Sequence, residues 1–146
     1  MHAPRLHPCD VARCGREAWC GALGLQMPVE HIDPSKVCSE PGVVEYYKRD
    51  PLVYHGGVRV RVGYEMLAGA RRALAGASAI TLPLLVEHGE ADVLCPSRGS
   101  TDLFTSLSSC PDKTLKMWPG LSHEVLNEAE YDKVLRHAME WMTARL

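Results

Sequence analysis

The segment Ile80-Thr81-Leu82-Pro83-Leu84-Leu85-Val86, closed by Glu87-His88-Gly89, constrains the fold more than any other stretch of the chain. A short, nearly continuous apolar run ending in a glycine turn is how a strand covered on both faces reads, the usual situation in parallel sheets. Residues 97–109 predict a helix with Leu103, Phe104 and Leu107 on one face. Leu115 and Met117 alternate with Thr114 and Lys116, which predicts a second strand with one wetter face, nearer a sheet edge. Pro119-Gly120 turns the chain. A last helix from about Glu128 to Arg145 is expected to bury Tyr131, Val134, Leu135, Ala138, Met139 and Met142. Strand, helix, strand, helix implies an α/β fold built on a parallel βαβ unit with a right-handed crossover.

Composition sets the outer bounds. At 146 residues, 46% of them hydrophobic, the chain can fill one core of ordinary size and not two. Charged residues at 23% and a formal net charge of -2 lack the basic excess of nucleic-acid binders. A mean hydropathy of -0.13 accompanies the absence of any apolar run near the roughly 18 residues of a membrane span. The six cysteines (9, 14, 20, 38, 95 and 110) form no CxxC pair. Their scatter fits a reducing compartment, with the cytoplasm as the expected location, at least as well as a disulfide framework.

The first stretch speaks a different language. Cys9, Cys14 and Cys20 lie among Arg5, Arg13, Arg16, Gly15, Gly21 and Gly24, with neither helical nor strand period. Asp10, Arg13, Arg16 and Glu17 interrupt the apolar stretch a signal peptide needs, and no serine precedes Ser35, against a transit peptide. With His2 and His7 these cysteines invite a zinc reading, but their C-x4-C-x5-C spacing fits no common site. The expectation is a poorly ordered segment over 1–28. Downstream, Val43, Val44 and Tyr47 fall at helical spacing before the stop at Asp50-Pro51. After Gly56-Gly57, the residues Val62, Met66, Leu67, Ala70 and Leu74 make an apolar stripe, and Gly76 ends it.

In open α/β sheets the functional side chains gather beyond the carboxyl ends of the strands. Asp92, in the loop after the first strand, and His123, in the loop after the second, meet that rule. They are 31 positions apart, one βαβ unit, so neighbouring strands bring both to one rim. A carboxylate beside a histidine is the orienting half of a nucleophilic triad. Competing readings are a turn-forming Asp and an ordinary surface His; Glu90 is an alternative acid. Glu124 and Glu128 read as first-turn charges of the last helix. Cys95 and Cys110 belong to no motif.

Leu84-Leu85-Val86-Glu87-His88-Gly89-Glu90-Ala91-Asp92 and Lys113-Thr114-Leu115-Lys116-Met117-Trp118-Pro119-Gly120-Leu121-Ser122-His123-Glu124 resemble the C-terminal part of monoacylglycerol lipases. These are α/β-hydrolases of the lysophospholipase and serine aminopeptidase-like group. Val43-Val44-Glu45-Tyr46-Tyr47-Lys48-Arg49-Asp50-Pro51-Leu52-Val53 resembles part of that family's helical cap. The resemblance runs from about Val29 to the C-terminus. It implies a cap segment over 29–78 and the C-terminal part of the hydrolase core over 79–146. By it, Asp92 is the triad acid and His123 the triad base, in the chain order of that fold.

The family's nucleophile sits in a G-x-S-x-G elbow upstream of the cap, and no such pentapeptide occurs here. Gly76-Ala77-Ser78-Ala79 lacks the final glycine and precedes the strand that an elbow should follow. The His-Gly oxyanion loop is missing too. The leading expectation is therefore a fragment of a serine hydrolase of lipid esters, monoacylglycerol or lysophospholipid, inactive by itself. That chemistry needs no metal or organic cofactor. The implied partners are a lipid ester, a membrane surface touched through the cap, and a second copy of the chain across an unpaired sheet edge; nucleic acid is not among them. Two alternatives stand: a non-catalytic lipid-binding or chain-pairing module, and the epoxide hydrolase or dehalogenase branch, which uses an aspartate nucleophile.

Overall fold

The structure, a computed structural model, describes residues 26–146, so the expectation for the cysteine-rich N-terminal stretch lies outside the described residues. In chain order the elements are β1 (Pro28–Glu30), a 3-10 turn (Pro34–Lys36), α1 (Pro41–Arg49), β2 (Val58–Arg59), α2 (Val60–Gly76), a 3-10 turn (Ala77–Ala79), β3 (Leu84–Gly89), α3 (Arg98–Ser106), β4 (Lys113–Trp118) and α4 (Tyr131–Thr143). They fall into two compact units. The described part of one comprises residues 26–32 and 55–71; the other comprises 33–54 and 72–146.

In the first unit β1 pairs antiparallel with β2, Pro28 opposite Arg59 and Glu30 opposite Val58. Gly57 lets the strands approach, since a Cβ there would stand 2.6 Å from Cβ of Pro28. β2 passes directly into α2, the helix expected from the apolar spacing. Its stripe, however, is exposed at Val62, Met66, Leu67 and Leu74.

In the second unit Pro41 opens α1 at a position where its missing N–H costs nothing. Asp50 ends that helix in an extended conformation before Pro51. β3 and β4 run parallel and adjacent, Leu84 opposite Lys113 through Gly89 opposite Trp118. The core packs where α3 and its C-terminal end meet β3: Leu107 and Ala77 are fully buried with Cys110, and Ile80, Leu84 and Leu103 pack against them.

Three expectations are corrected here. β3 begins at Leu84, not Ile80, because the amide of Ile80 closes the preceding turn on Ala77 and Pro83 has no N–H to give a ladder. Leu84 to His88 are half-buried rather than covered on both faces, because the described sheet has two strands only. α4 buries only part of the expected stripe, with Ala138 half-buried. Val134 is buried, while Tyr131, Leu135, Met139 and Met142 are exposed. The helix is held to the sheet by polar tips instead: the indole N–H of Trp141 donates to Thr114 Oγ1 at 2.9 Å, and Nδ1 of His137 meets Glu87 Oε1 at 2.8 Å. At its end Arg145 grips both oxygens of Asp112 at 2.6 Å and lies 3.6 Å over the Trp141 ring. No helix among the described residues is long and apolar enough to cross a membrane.

Candidate active site

The site is assembled where β3 and β4 end. A Cβ on Gly89 would stand 2.2 Å from the carbonyl oxygen of Ser122 and 2.3 Å from that of Leu121. Only a hydrogen fits between the two strand-end loops at this point. The amide of Ala91 donates to Leu121 O at 2.9 Å and fastens the loops together. Gly120, with φ at +78°, supplies the left-handed residue that reverses the chain after Trp118-Pro119 and brings up the His123 loop.

Asp92 is buried, 8% exposed. Its Oδ1 accepts the amides of Leu94 at 2.8 Å and Cys95 at 2.9 Å, which shapes its loop into a side-chain-closed turn. Its Oδ2 lies 2.8 Å from Nδ1 of His123. A carboxylate only accepts, so Nδ1 carries the proton of that bond, and in the neutral ring Nε2 then keeps its lone pair. Burial pushes the Asp92 carboxyl up, but the Cys95 amide, the His123 ring and the Leu94 amide together outweigh it and hold it below the usual carboxylate range. The His123 side chain is 39% exposed, so its ring faces outward from a fixed, charged base.

Two residues that the sequence reading did not place at the site support this pair. Nε2 of His88 lies 2.9 Å from the carbonyl of Cys95 and 3.3 Å from Asp92 Oδ2, and Nδ1 lies 2.7 Å from Ser100 Oγ. The carbonyl accepts, so Nε2–H donates and Nδ1 takes the Ser100 hydroxyl proton. His88 thereby ties β3, the Asp92 loop and the start of α3. Glu128 is the other. It is 2% exposed and accepts the Ser122 amide at 2.9 Å, the Ser39 amide at 3.1 Å and the Ser39 hydroxyl. The reading of Glu128 as a first-turn charge of the last helix is thus corrected: it precedes α4 and clamps the His123 loop to the segment before α1. Burial raises its carboxyl, and the Ser39 hydroxyl with the Ser122 and Ser39 amides more than offsets this, leaving it lowered. Cys38 Sγ to Asn127 O at 3.1 Å and the amide of Glu124 to Val37 O at 2.9 Å extend the same seam.

The other candidates fall elsewhere. Glu90 is exposed, and its backbone amide caps β4 on Trp118 O. Ser78 lies exposed in the 3-10 turn before β3. Cys110 is buried with its thiol on Leu82 and Asp112 carbonyls. Cys95 is exposed at the rim, beside Asp92 and His123.

A family model described as serine aminopeptidase, S33, matches residues 5–130. The chain belongs to the serine aminopeptidase S33 family. A monoacylglycerol lipase of Mycolicibacterium smegmatis is 41% identical over 134 residues, 86% of this chain and 45% of that lipase. A monoglyceride lipase of Rattus norvegicus is 36% identical over 117 residues, 79% of this chain and 38% of that one. The crystal structure of Paleococcus ferrophilus monoacylglycerol lipase matches with a TM-score of 0.81 and 26% identity, covering 100% of this chain and 56% of that chain. The S33 chain is therefore an α/β-hydrolase by fold, and it spans less than half the length of the curated relatives just named.

Proposed function

We propose that this chain carries the acid and the base of a serine hydrolase that cleaves carboxylic esters of lipids, of the monoacylglycerol or lysophospholipid type, and that it lacks the nucleophile elbow. The observation that carries the reading is the 2.8 Å contact of Asp92 Oδ2 with His123 Nδ1, at the carboxyl ends of two adjacent parallel strands, in a chain whose relatives bear the name monoacylglycerol lipase.

The chemistry follows from the tautomer. Asp92 accepts the Nδ1 hydrogen bond and stabilises the imidazolium, so Nε2 is the atom that takes a proton from a serine hydroxyl as it attacks the ester carbonyl. The same nitrogen then gives that proton to the departing alcohol, and a water repeats the sequence on the acyl-enzyme. Residues 29–78 serve as the cap and 79–146 as the C-terminal part of the core. The exposed apolar stripe of α2, at Val62, Met66 and Leu67, supports contact of the cap with lipid at a membrane surface facing the cytoplasm.

The test uses the full chain, its His123→Ala variant, and each mixed with the N-terminal half of a relative that contains G-x-S-x-G. Hydrolysis of a short-chain aryl ester and of a monoacylglycerol is followed. By itself the chain should be indistinguishable from buffer, because without a nucleophile or an oxyanion donor His123 has nothing to activate. With the supplied half, hydrolysis should appear and be lost by several orders of magnitude in the variant. Turnover by the chain alone that vanishes in His123→Ala overturns the missing-nucleophile reading. Lipid binding without hydrolysis in any mixture favours the non-catalytic module.

A further inference from the structure

We propose that Asp92, Cys95 and His123 form a binding site for Zn2+ that displaces His123 from its work as a base. One ligand atom from each of the three lies within 4.8 Å of the other two. Zinc holds sulfur at about 2.3 Å and nitrogen or oxygen at about 2.0–2.2 Å in a tetrahedron, which sets neighbouring ligand atoms roughly 3.3–3.8 Å apart. Closing the site therefore takes an approach of about 1 Å by the sulfur and, where Nδ1 is the ligand atom, a parting of roughly 0.5 Å between Asp92 Oδ2 and His123 Nδ1, now 2.8 Å apart. Cys95, exposed in the loop that Asp92 itself shapes, is free to supply that approach by a side-chain rotation.

The donor set selects the metal. One thiolate, one imidazole and one carboxylate suit a borderline-soft ion, whereas magnesium and calcium call for an oxygen cage. Three protein ligands with an outward face are also the make-up of an open zinc site, with water in the fourth position. The carboxylate is already oriented: its Oδ1 is held by two backbone amides and its Oδ2 has His88 Nε2 at 3.3 Å. Such outer contacts fix a ligand before the metal arrives. Binding releases the Cys95 thiol proton to solvent, and the sulfur lone pair forms the new bond.

Zinc and base catalysis exclude each other on either ring nitrogen. At Nδ1 the metal replaces the proton shared with Asp92; at Nε2 it occupies the lone pair that would accept a proton from a nucleophile. The binding claim stands apart from the hydrolase reading, and only its consequence for turnover rests on it.

The experiment uses the full chain with Cys9, Cys14 and Cys20 changed to Ser, so that N-terminal thiols cannot contribute. Zn2+ is titrated calorimetrically, and Co2+ is added as a spectroscopic probe of thiolate ligation. We expect one ion per chain and a near-ultraviolet thiolate-to-cobalt band. Cys95→Ser should abolish the band and weaken Zn2+ binding by about a hundredfold or more, as His123→Ala should also do, since even outer-contact losses cost about 10–100-fold. Cys95 is exposed, so its Ser variant retains the fold, which circular dichroism checks. Absence of binding in the three-serine background, or unchanged binding and band in Cys95→Ser, overturns the proposal. Failure of reconstituted hydrolysis leaves the metal readout intact, so the two claims fail separately.

Discussion

Glu128 shows how much of the site's geometry rests on one buried carboxylate. Its partners are Ser39, which is 89 residues away in sequence, and the Ser122 amide next to His123. Glu128→Gln keeps the shape but removes charge-assisted acceptance, and should cost about 1–3 kcal/mol at neutral pH, read by urea unfolding. The pH dependence has a definite sign. Glu128 and Asp92 are both lowered on folding. Their contribution is complete above the range of about 4 to 5 where unfolded carboxylates titrate, and is lost as pH falls through the lower folded values. In unfolding series between neutral and acid pH, Glu128→Gln should therefore flatten the acid limb, with the gap to the parent narrowing as pH drops. An equal gap at every pH would show that the carboxylate's charge is not what is being lost.

At the scale of elements, the strand-end loops and the last helix make contrasting demands. Gly89→Ala would drive a Cβ into backbone carbonyls at 2.2 and 2.3 Å, where no flexible side chain can yield. It should cost about 3 kcal/mol or more and separate Asp92 from His123, seen as a large loss of thermal stability. Gly120→Ala meets no atom within 4 Å but must hold φ near +78°, so its cost is the left-handed penalty alone, about 1–2 kcal/mol. For α4, Val134→Ala at a 1% exposed position should cost about 2 kcal/mol, whereas Met139→Lys on the exposed face should change stability by no more than about 0.5 kcal/mol. A large effect of Met139→Lys would return the helix to the face its apolar spacing suggested.

For the molecule as a whole, the described β3–β4 pair leaves the far edge of β3 without a strand partner. Leu84, Leu85 and Val86 are half-buried there, and such an edge pairs readily with another chain. The chain by itself should associate, its apparent mass in sedimentation equilibrium rising with concentration. A Leu85→Lys substitution, placing a charge on that strand, should suppress the rise while leaving the helical circular dichroism in place. A monodisperse monomer at all concentrations would mean that the edge is covered.

How much of this was written in the residues is clear from particular cases. The βαβ order, the presence of α1, α3 and β4, and the bringing together of Asp92 and His123 follow from local rules: apolar period, proline and glycine stops, and one βαβ unit between two strand ends, although α3 stops at Ser106 and not at the expected residue 109. These are properties of neighbouring residues, and a sequence displays its neighbours directly. Which face of α4 is buried, and the clamp of Glu128 on Ser39 and Ser122, depend on partners far along the chain. Several apolar faces of α4 compete on paper, and the polar tips of His137 and Trp141 win only because Glu87 and Thr114 wait on the strands. A buried carboxylate and a solvated one are the same letter; only the tertiary structure, by bringing donors to Glu128 and removing water from it, decided which it is.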